Sequence, residues 1–266
     1  MTKAQVVLVA AMIFLGASFG FQQINPLSYS TSAQTDSISL KSDSLKGKPE
    51  WIALYDSLRL GEKGLSQAAF HYAWFGFQKM KLHNPILAIA DFSQSSRNKR
   101  LYVIDLLTKK ILMNTYVAHG KNSGEEYAKK FSNDNSSYQS SLGFYKTLGT
   151  YQGKHGLSLK LEGVEKGIND RAFERAIVMH GADYVSESFI KNTGRLGRSQ
   201  GCPAVSIADS KTLINMLYNG AGLFIYSMDQ KYFKKSSLLA GLSPKEIEDQ
   251  TLGGTATDPL LYTSGK

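Results

Sequence analysis

The sequence contains a single cysteine, Cys202, among its 266 residues. No disulfide can therefore form within the chain, and the thiol stays free, pairs with another chain or takes part in chemistry. In an exported protein such an unpaired thiol is unusual, because oxidising compartments favour disulfides. The scarcity of cysteine directs attention to the residues around Cys202.

Other common signals are also missing. No pair of histidines has the close spacing typical of zinc ligands, so no metal site is expected. Dense runs of lysine and arginine interleaved with aromatic residues are absent, which argues against nucleic-acid binding. The formal net charge is nevertheless +9, and a basic surface favours an anionic partner such as a cell-wall polymer, a nucleic acid or a membrane face. Charge alone does not choose among these.

The N-terminus has an apolar run of roughly fifteen residues, shorter than the ~20 residues of a membrane-spanning helix. Lys3, the apolar residues 6–15 and the small residues of 16–20 are typical of a secretory signal peptide, predicted to cover residues 1–20. An uncleaved anchor is the alternative, and the absence of a following cysteine excludes lipid attachment there. We expect an exported protein of the periplasm or cell envelope, with no other membrane contact.

The segments flanking the main domain differ in composition. Residues 21–50 are predicted to form a flexible linker, because polar residues dominate and apolar periodicity is weak. In residues 51–83, apolar residues recur at spacings of three and four, which predicts two helices packed on the following domain. Ser66 is placed to cap the second of them. Residues 229–266 form a tail whose order the composition does not decide.

Residues 84–228 have the pattern of a mostly β domain, with short runs of branched residues separated by polar turns. A hairpin turn is expected at 108–110, and the long polar stretch 120–141 is predicted to be functional. Ser206 is expected to begin a helix that ends near Tyr218. The predicted strands are 86–90, 101–107, 111–118, 143–147, 157–161, 176–180 and 223–226.

The surroundings of Cys202 favour a reactive thiol. A lone cysteine is more often a small buried hydrophobic residue, but residues 198–200 are polar, and glycines at 194, 197 and 201 permit close backbone approaches. A thiol attacks as the thiolate and needs a base to take its proton. His180, at the end of a strand-like run, is the candidate base.

The ordered combination of these segments resembles the L,D-transpeptidase catalytic domain, the YkuD-type fold, in its murein transpeptidase branch. The resemblance extends from about residue 51 to residue 227, and residues 198–205 are its specific part. It implies a mostly β fold with flanking helices, preceded by a short helical segment. The residues that carry it are Asp91-Phe92-Ser93, Ser140-Ser141-Leu142-Gly143-Phe144-Tyr145, His180-Gly181 and Ser199-Gln200-Gly201-Cys202.

The resemblance also implies residue roles, in an enzyme that needs no cofactor and acts on peptidoglycan stem peptides. Cys202 is then the nucleophile and His180 the general base, oriented by the backbone around Gly181. Amides near Gly201 and Cys202 are expected to stabilise the tetrahedral oxyanion. Ser199 matches the Ser or Thr of the family motif, and is either a substrate contact or a turn serine bonded to its own backbone.

Several charged residues are candidates to bind a stem-peptide carboxylate. Arg198 ranks first, ahead of Arg195 and Lys121, because it lies close to Cys202 and an arginine fork matches a carboxylate with two hydrogen bonds. Asp183 and Tyr184 follow the His-Gly pair closely and are candidates to line the cleft.

The motif departs from the family pattern at two places. Gln200 stands where many members carry histidine, and it can donate a hydrogen bond but cannot take a proton. Many members also carry Asn or Arg shortly after the cysteine, where this chain has Pro203-Ala204. His180 is then the only base in the site, and the variation leaves the acceptor and the reaction open.

Of the other histidines, one is a rival base and three are expected to have structural or surface roles. His119, which also precedes a glycine at the end of a strand-like run, is the rival base, but on the family mapping it precedes the long loop rather than the catalytic strand. His155 lies in an apparent turn, and His71 and His83 belong to the helical region.

The sequence therefore predicts an exported cysteine acyltransferase, an L,D-transpeptidase, that forms an acyl-enzyme on a stem peptide and transfers the acyl group to an amine. Two alternatives stay open: an L,D-carboxypeptidase or endopeptidase that uses water as the acceptor, and a non-catalytic wall-binding module. A catalytic Cys202 is expected to have a low pKa and to lose its reactivity without His180. The oligomeric state is not predicted.

Overall fold

The computed structural model describes residues 48–242, all within one unit. The predicted signal peptide, most of the predicted linker and residues 243–266 lie outside the described residues. The strands are β1 Ile86–Asp91, β2 Leu101–Asp105, β3 Lys110–Thr115, β4 Gly143–Gly153, β5 Gly156–Gly163, β6 Val178–Ala182, β7 Ala204–Ser206 and β8 Gly222–Tyr226. The α-helices are α1 Glu50–Ser57, α2 Gln67–Met80, α3 Glu187–Thr193, α4 Ile207–Leu217 and α5 Gln230–Lys235, and a 3-10 helix spans Gly61–Lys63.

The strands form one mixed sheet in the order β3-β2-β1-β8-β4-β5-β6-β7. Two pairs are parallel, β1 with β8 and β6 with β7, and the others are antiparallel. Two bridges, Ala118 to Ala204 and Gly120 to Ser199, join the edge strand β7 and the residues before it to the segment after β3. The sheet is therefore barrel-like, which confirms the prediction of a mostly β fold with flanking helices.

The apolar runs of β1 and β8 form strands at the centre of the sheet. Both are buried along almost their whole length, because α2 packs on this pair. Strands covered on both faces read as continuous apolar runs rather than alternating ones. The continuous apolar runs of β1 and β8 therefore agree with the central position of these strands in the sheet.

The two predicted N-terminal helices are confirmed as α1 and α2. The Ser66 hydroxyl accepts a hydrogen bond from the Ala69 amide at 3.1 Å, as a capping residue should. The helix ends where Lys81 adopts a left-handed conformation with φ of 50°. Ser206 caps α4 in the same way, through the Asp209 amide at 3.0 Å.

The structure differs from the predicted elements in several places. The strand predicted from residue 176 begins at Val178, because Ala176 has a left-handed φ of 53°. β4 continues to Gly153, well beyond the predicted end. Sequence patterns did not reveal α3, β7 or α5, which are three to seven residues long. The α5 region also packs on the core through the buried Tyr232.

We expect Gly76→Ala to destabilise the fold. A Cβ at this position would lie 2.0 Å from the Phe144 ring, which is buried and stacked on Phe224 at 4.2 Å. Alanine is the better helix former by about 1 kcal/mol, but overpacking a rigid core costs ~1–3 kcal/mol. Since a 2.0 Å contact is severe, the cost should lie in the upper part of that range, and the free energy of unfolding, measured with urea, should fall by about 1–2 kcal/mol.

The matched control is Gly149→Ala, where no heavy atom lies within 4 Å of the added Cβ. This variant should unfold at the wild-type urea concentration or slightly above it. A Gly76→Ala protein as stable as the wild type would contradict the close contact between α2 and the sheet.

Candidate active site

Cys202 lies immediately before β7, beside β6. The two strands are parallel with His180 opposite Ala204, and this register places Cys202 next to Val178. The Val178 amide lies 3.5 Å from the Cys202 Sγ, and the thiol donates toward the Ala176 carbonyl at 3.7 Å. The side chain is partly buried, so the sulfur is held against backbone at the bottom of a cleft.

His180 is buried on β6, and its ring is oriented by the backbone. The Nδ1 atom lies 2.9 Å from the Gly181 carbonyl oxygen. Because a carbonyl only accepts, Nδ1 carries the hydrogen and Nε2 has the free lone pair. Within residues 48–242, the hydrogen bonds of the thiol go to Val178 and Ala176 and not to this imidazole. Both side chains nevertheless line the same cleft.

Ser199 closes the turn that carries the cysteine. Its hydroxyl accepts from the Gly201 amide at 3.0 Å and donates to the Cys202 carbonyl at 2.6 Å. This is the geometry of a turn serine, one of the two roles left open above. Since the Gly201 amide is already bonded, the Cys202 amide is the better candidate to bind an oxyanion.

The long polar stretch of residues 120–141 is hydrogen-bonded to this turn. The Ser140 hydroxyl accepts from the Gly120 amide at 3.0 Å and donates to the Gly201 carbonyl at 3.2 Å. A Cβ on Gly120 would lie 2.9 Å from the Gly201 Cα, so only glycine permits this approach. The stretch also contributes Lys121 and Tyr138 to the cleft wall.

Arg175 anchors the same stretch and was not anticipated from the sequence. Its guanidinium donates to the carbonyls of Ser132 at 2.8 Å and Gln139 at 2.7 Å, and to the hydroxyls of Ser137 and Ser141. Burial lowers the pKa of Arg175. No local sequence pattern indicates that one guanidinium forms four hydrogen bonds with a distant loop.

His119, the rival base, is a buried structural residue. Its Nδ1 lies 2.8 Å from the Arg100 guanidinium and its Nε2 lies 3.3 Å from the Gly124 carbonyl. Burial, reinforced by the Arg100 charge, lowers its pKa to about 3. His119 is not among the residues that line the Cys202 cleft.

The cleft has a volume of about 850 Å³ and a cationic wall. The described residues that line it include four cations and no carboxylate. The predicted site residues Tyr184, Ser199 and Gln200 are among them, whereas Asp183 is exposed outside the cleft. The cations are Lys121, Lys154, Arg175 and Arg198.

Arg198, ranked first for a substrate carboxylate, is already bonded within the protein. Its guanidinium donates to the Lys121 and Gly124 carbonyls at 3.0 Å and pairs with Glu125 at 2.5 Å. Arg195 pairs with the same carboxylate at 2.8 Å. Both arginines therefore hold the loop at 121–125.

Burial favours the neutral forms of the Cys202 thiol and the His180 imidazole. It raises the pKa of the Cys202 thiol, against the opposing effects of the Val178 amide, Arg175 and Lys154. It also lowers the pKa of His180, as do the charges of His155 and Lys154. A thiol and a neutral imidazole coexist at neutral pH, in contrast to the low thiol pKa expected from the sequence.

His155 lies in the exposed turn of the β4–β5 hairpin, as the sequence indicated, and from there its ring reaches the site. Its ring stacks on the His180 ring with a centroid distance of 4.4 Å and an interplanar angle of 20°. The remaining two histidines lie elsewhere. His71 stacks on Trp51 at 4.0 Å, and His83 lines a separate cavity near the end of α2.

Among the described residues, no group of three His, Cys, Asp or Glu side chains is placed to hold a metal ion. The helices described in residues 48–242 are each too short or too polar to cross a membrane.

A barrel-like sheet with a histidine on one strand and a cysteine just before the adjacent parallel strand defines a class of candidate cysteine enzymes. The family model of the L,D-transpeptidase catalytic domain matches residues 61–226. The chain therefore belongs to the L,D-transpeptidase catalytic domain family, as the resemblance indicated. The match includes α2 and every strand of the sheet, together with Cys202 and His180. No curated protein matches the sequence.

The chain also has partial similarity to several solved structures. An L,D-transpeptidase from Mycobacterium smegmatis is 13% identical with a TM-score of 0.33, over 54% of this chain and 59% of that one. One from Stackebrandtia nassauensis is 19% identical with a TM-score of 0.32, over 55% and 57%. The helical cell shape determining protein Pgp2 of Campylobacter jejuni is 15% identical with a TM-score of 0.35, over 60% and 55%. The chain thus spans less than two thirds of each.

We expect iodoacetamide to alkylate folded Cys202 slowly at pH 7. Because the thiol pKa is raised, the thiolate fraction should be small and should keep growing as the pH passes 9. The pH dependence of the alkylation rate, followed by intact mass, measures this directly. Protein unfolded in urea is the control and should show an ordinary cysteine profile. Fast alkylation with an inflection below neutral pH would instead indicate a thiolate–imidazolium pair.

Proposed function

We propose that this protein is an exported L,D-transpeptidase that remodels peptidoglycan, with Cys202 as nucleophile and His180 as general base. The observation that supports this most strongly is the placement of both side chains in one cleft, with His180 on β6 and Cys202 just before the adjacent parallel strand β7. The Nδ1–H bond to the Gly181 carbonyl leaves Nε2 able to accept a proton. Membership of the family supports peptidoglycan as the substrate.

In the first half-reaction, Nε2 of His180 takes the thiol proton while Sγ attacks the carbonyl carbon that joins an L-centre to a D-centre in a stem peptide. The carbon–sulfur bond forms and the carbonyl oxygen becomes an oxyanion, which the Cys202 amide is placed to stabilise. Collapse breaks the carbon–nitrogen bond, and the imidazolium returns its proton to the leaving amine. The product is a thioester on Cys202.

In the second half-reaction, an acceptor amine attacks the thioester and gives a proton to His180. The tetrahedral intermediate expels Sγ, which recovers the proton from the imidazolium. The neutral ground state suits this cycle, because a base whose pKa lies below its ordinary value is unprotonated at neutral pH. Water in place of the amine would give hydrolysis through the same intermediate.

We expect the purified protein to convert muropeptides into cross-linked or amino-acid-exchanged products, and expect Cys202→Ala to abolish them. His180→Gln should lower the rate by about 10²–10⁴, the usual contribution of a general base. Mass spectrometry of the muropeptides before and after incubation measures both effects.

The product pattern separates the possible activities. Trimmed stems that depend on Cys202 would indicate a carboxypeptidase or endopeptidase. Unchanged muropeptides, with a folded protein that still sediments with purified cell wall, would favour a wall-binding module. Products that survive in the Cys202→Ala variant would contradict the proposed nucleophile.

The cationic wall of the cleft suits an anionic stem peptide. Arg175 and Arg198 are bonded to loop residues, whereas Lys121 and Lys154 present their charges to the cleft. The Lys121 ammonium lies 4.1 Å from the centre of the Tyr138 ring, a contact that holds it near the entrance. We therefore assign the stem carboxylate to Lys121 and Lys154 rather than to Arg198.

We expect Lys121→Met and Lys154→Met to raise the KM for stem peptides with free carboxylates by about two- to fivefold each, as solvent-exposed ion pairs do. Their effect on stems whose carboxylates are amidated should be small. The control is Lys211→Met, which makes the same charge change on an exposed face of α4. Equal effects on free and amidated stems would argue against a carboxylate contact.

A further inference from the structure

We propose that His155 is a positioning residue that holds the His180 ring in the orientation needed for proton transfer. This inference rests on the proposed role of His180 as the general base. His155 comes from a different element of the fold than either member of the Cys202–His180 pair, and its side chain covers one face of the base.

The hairpin geometry brings His155 to this position. Gly153 pairs with Gly156, so Lys154 and His155 form a two-residue turn. The ladder between β5 and β6 runs only from Ser158 to Lys160, so the turn lies beyond the paired part of β5. Ser158 lies opposite His180, and His155, three residues before Ser158, places its ring on the His180 ring.

The stacked arrangement excludes a proton relay between the two imidazoles. With ring centres 4.4 Å apart and planes within 20° of parallel, the ring nitrogens do not point at one another. A proton passes along a hydrogen bond in the ring plane, not between faces. His155 therefore acts on the orientation and environment of His180. The Gly181 carbonyl holds one edge of the base and His155 covers one face.

The charges around His180 decide how His155 affects its titration. Lys154 and His155 face it from the hairpin, and Cys202 and Tyr184 share the cleft wall with it. A cation on the hairpin opposes formation of the imidazolium, and the covering ring adds to its burial. Loss of the His155 imidazole should therefore make His180 easier to protonate.

The test compares His155→Phe, which keeps a ring without a titrating group, with His155→Ala, which removes the ring. His155→Ala should lower kcat by about 3- to 10-fold, in line with the loss of a stacked aromatic pair. His155→Phe should stay within about twofold of the wild type for the same reason. In both variants the acidic limb of the kcat/KM profile should move to higher pH.

Gln152→Ala is the control, because Gln152 is exposed on the same hairpin and does not line the cleft. It should leave kcat and the acidic limb unchanged. A second readout needs no substrate: nitrogen-15 spectra of the His180 ring should show the Nδ1–H tautomer in the wild type. In His155→Ala the same spectra should show His180 titrating at higher pH.

The outcomes separate this inference from the proposed function. Wild-type kcat and pH profile in His155→Ala, together with an inactive Cys202→Ala, would overturn the positioning role and leave the function intact. If kcat fell equally in both His155 variants and the acidic limb did not shift, the contact would serve only the packing of the hairpin. That result would also overturn the positioning role. If Cys202→Ala retained activity, the proposed function would fail, and the His180 spectra would still test the stack.

Discussion

The backbone contact between Gly120 and Gly201 determines where the cysteine lies. A side chain on either glycine would collide with backbone of the opposite segment or of the 138–140 segment, at 2.6–2.9 Å. The Ser140 hydroxyl bonds to both glycines, and the Ser199 hydroxyl closes the turn from its other side. The long loop, the turn and β7 are thereby fixed to one another. The sulfur position follows from this arrangement together with the long contacts of the thiol to Val178 and Ala176.

Burial then sets the electrostatics of the pair. Withdrawal from water disfavours a charged thiolate and a charged imidazolium alike, so the pKa of Cys202 rises and that of His180 falls. The separation of the two pKa values leaves a wide pH range in which thiol and imidazole are both neutral. A preformed ion pair would need the opposite shifts. If Cys202 is the nucleophile, as proposed, these shifts favour proton transfer during attack over storage of a thiolate.

Local patterns were sufficient to predict much of the fold. Apolar spacing located α1, α2 and most strands, and Ser66 and Ser206 identified two helix starts, because these signals depend on neighbouring residues. β7 escaped notice because three residues carry no period. The pairing of Arg198 with Glu125 was not predictable in this way, because Glu125 lies 73 positions earlier, and the reach of His155 depends on strand register. Contacts between distant segments leave no local signal.

The cations in the cleft matter because Cys202 and His180 are both neutral in the free protein. Arg175 and Lys154 favour the thiolate, yet burial outweighs them in the free protein. A bound stem peptide would add further burial and, through its carboxylates, negative charge, and both changes oppose the thiolate more strongly. Negative charge would therefore appear only as the oxyanion forms, when it lies among these cations. In the proposed mechanism the thiol proton then needs an acceptor with a free lone pair, a role that is open to Nε2 of His180 and not to the amide group of Gln200.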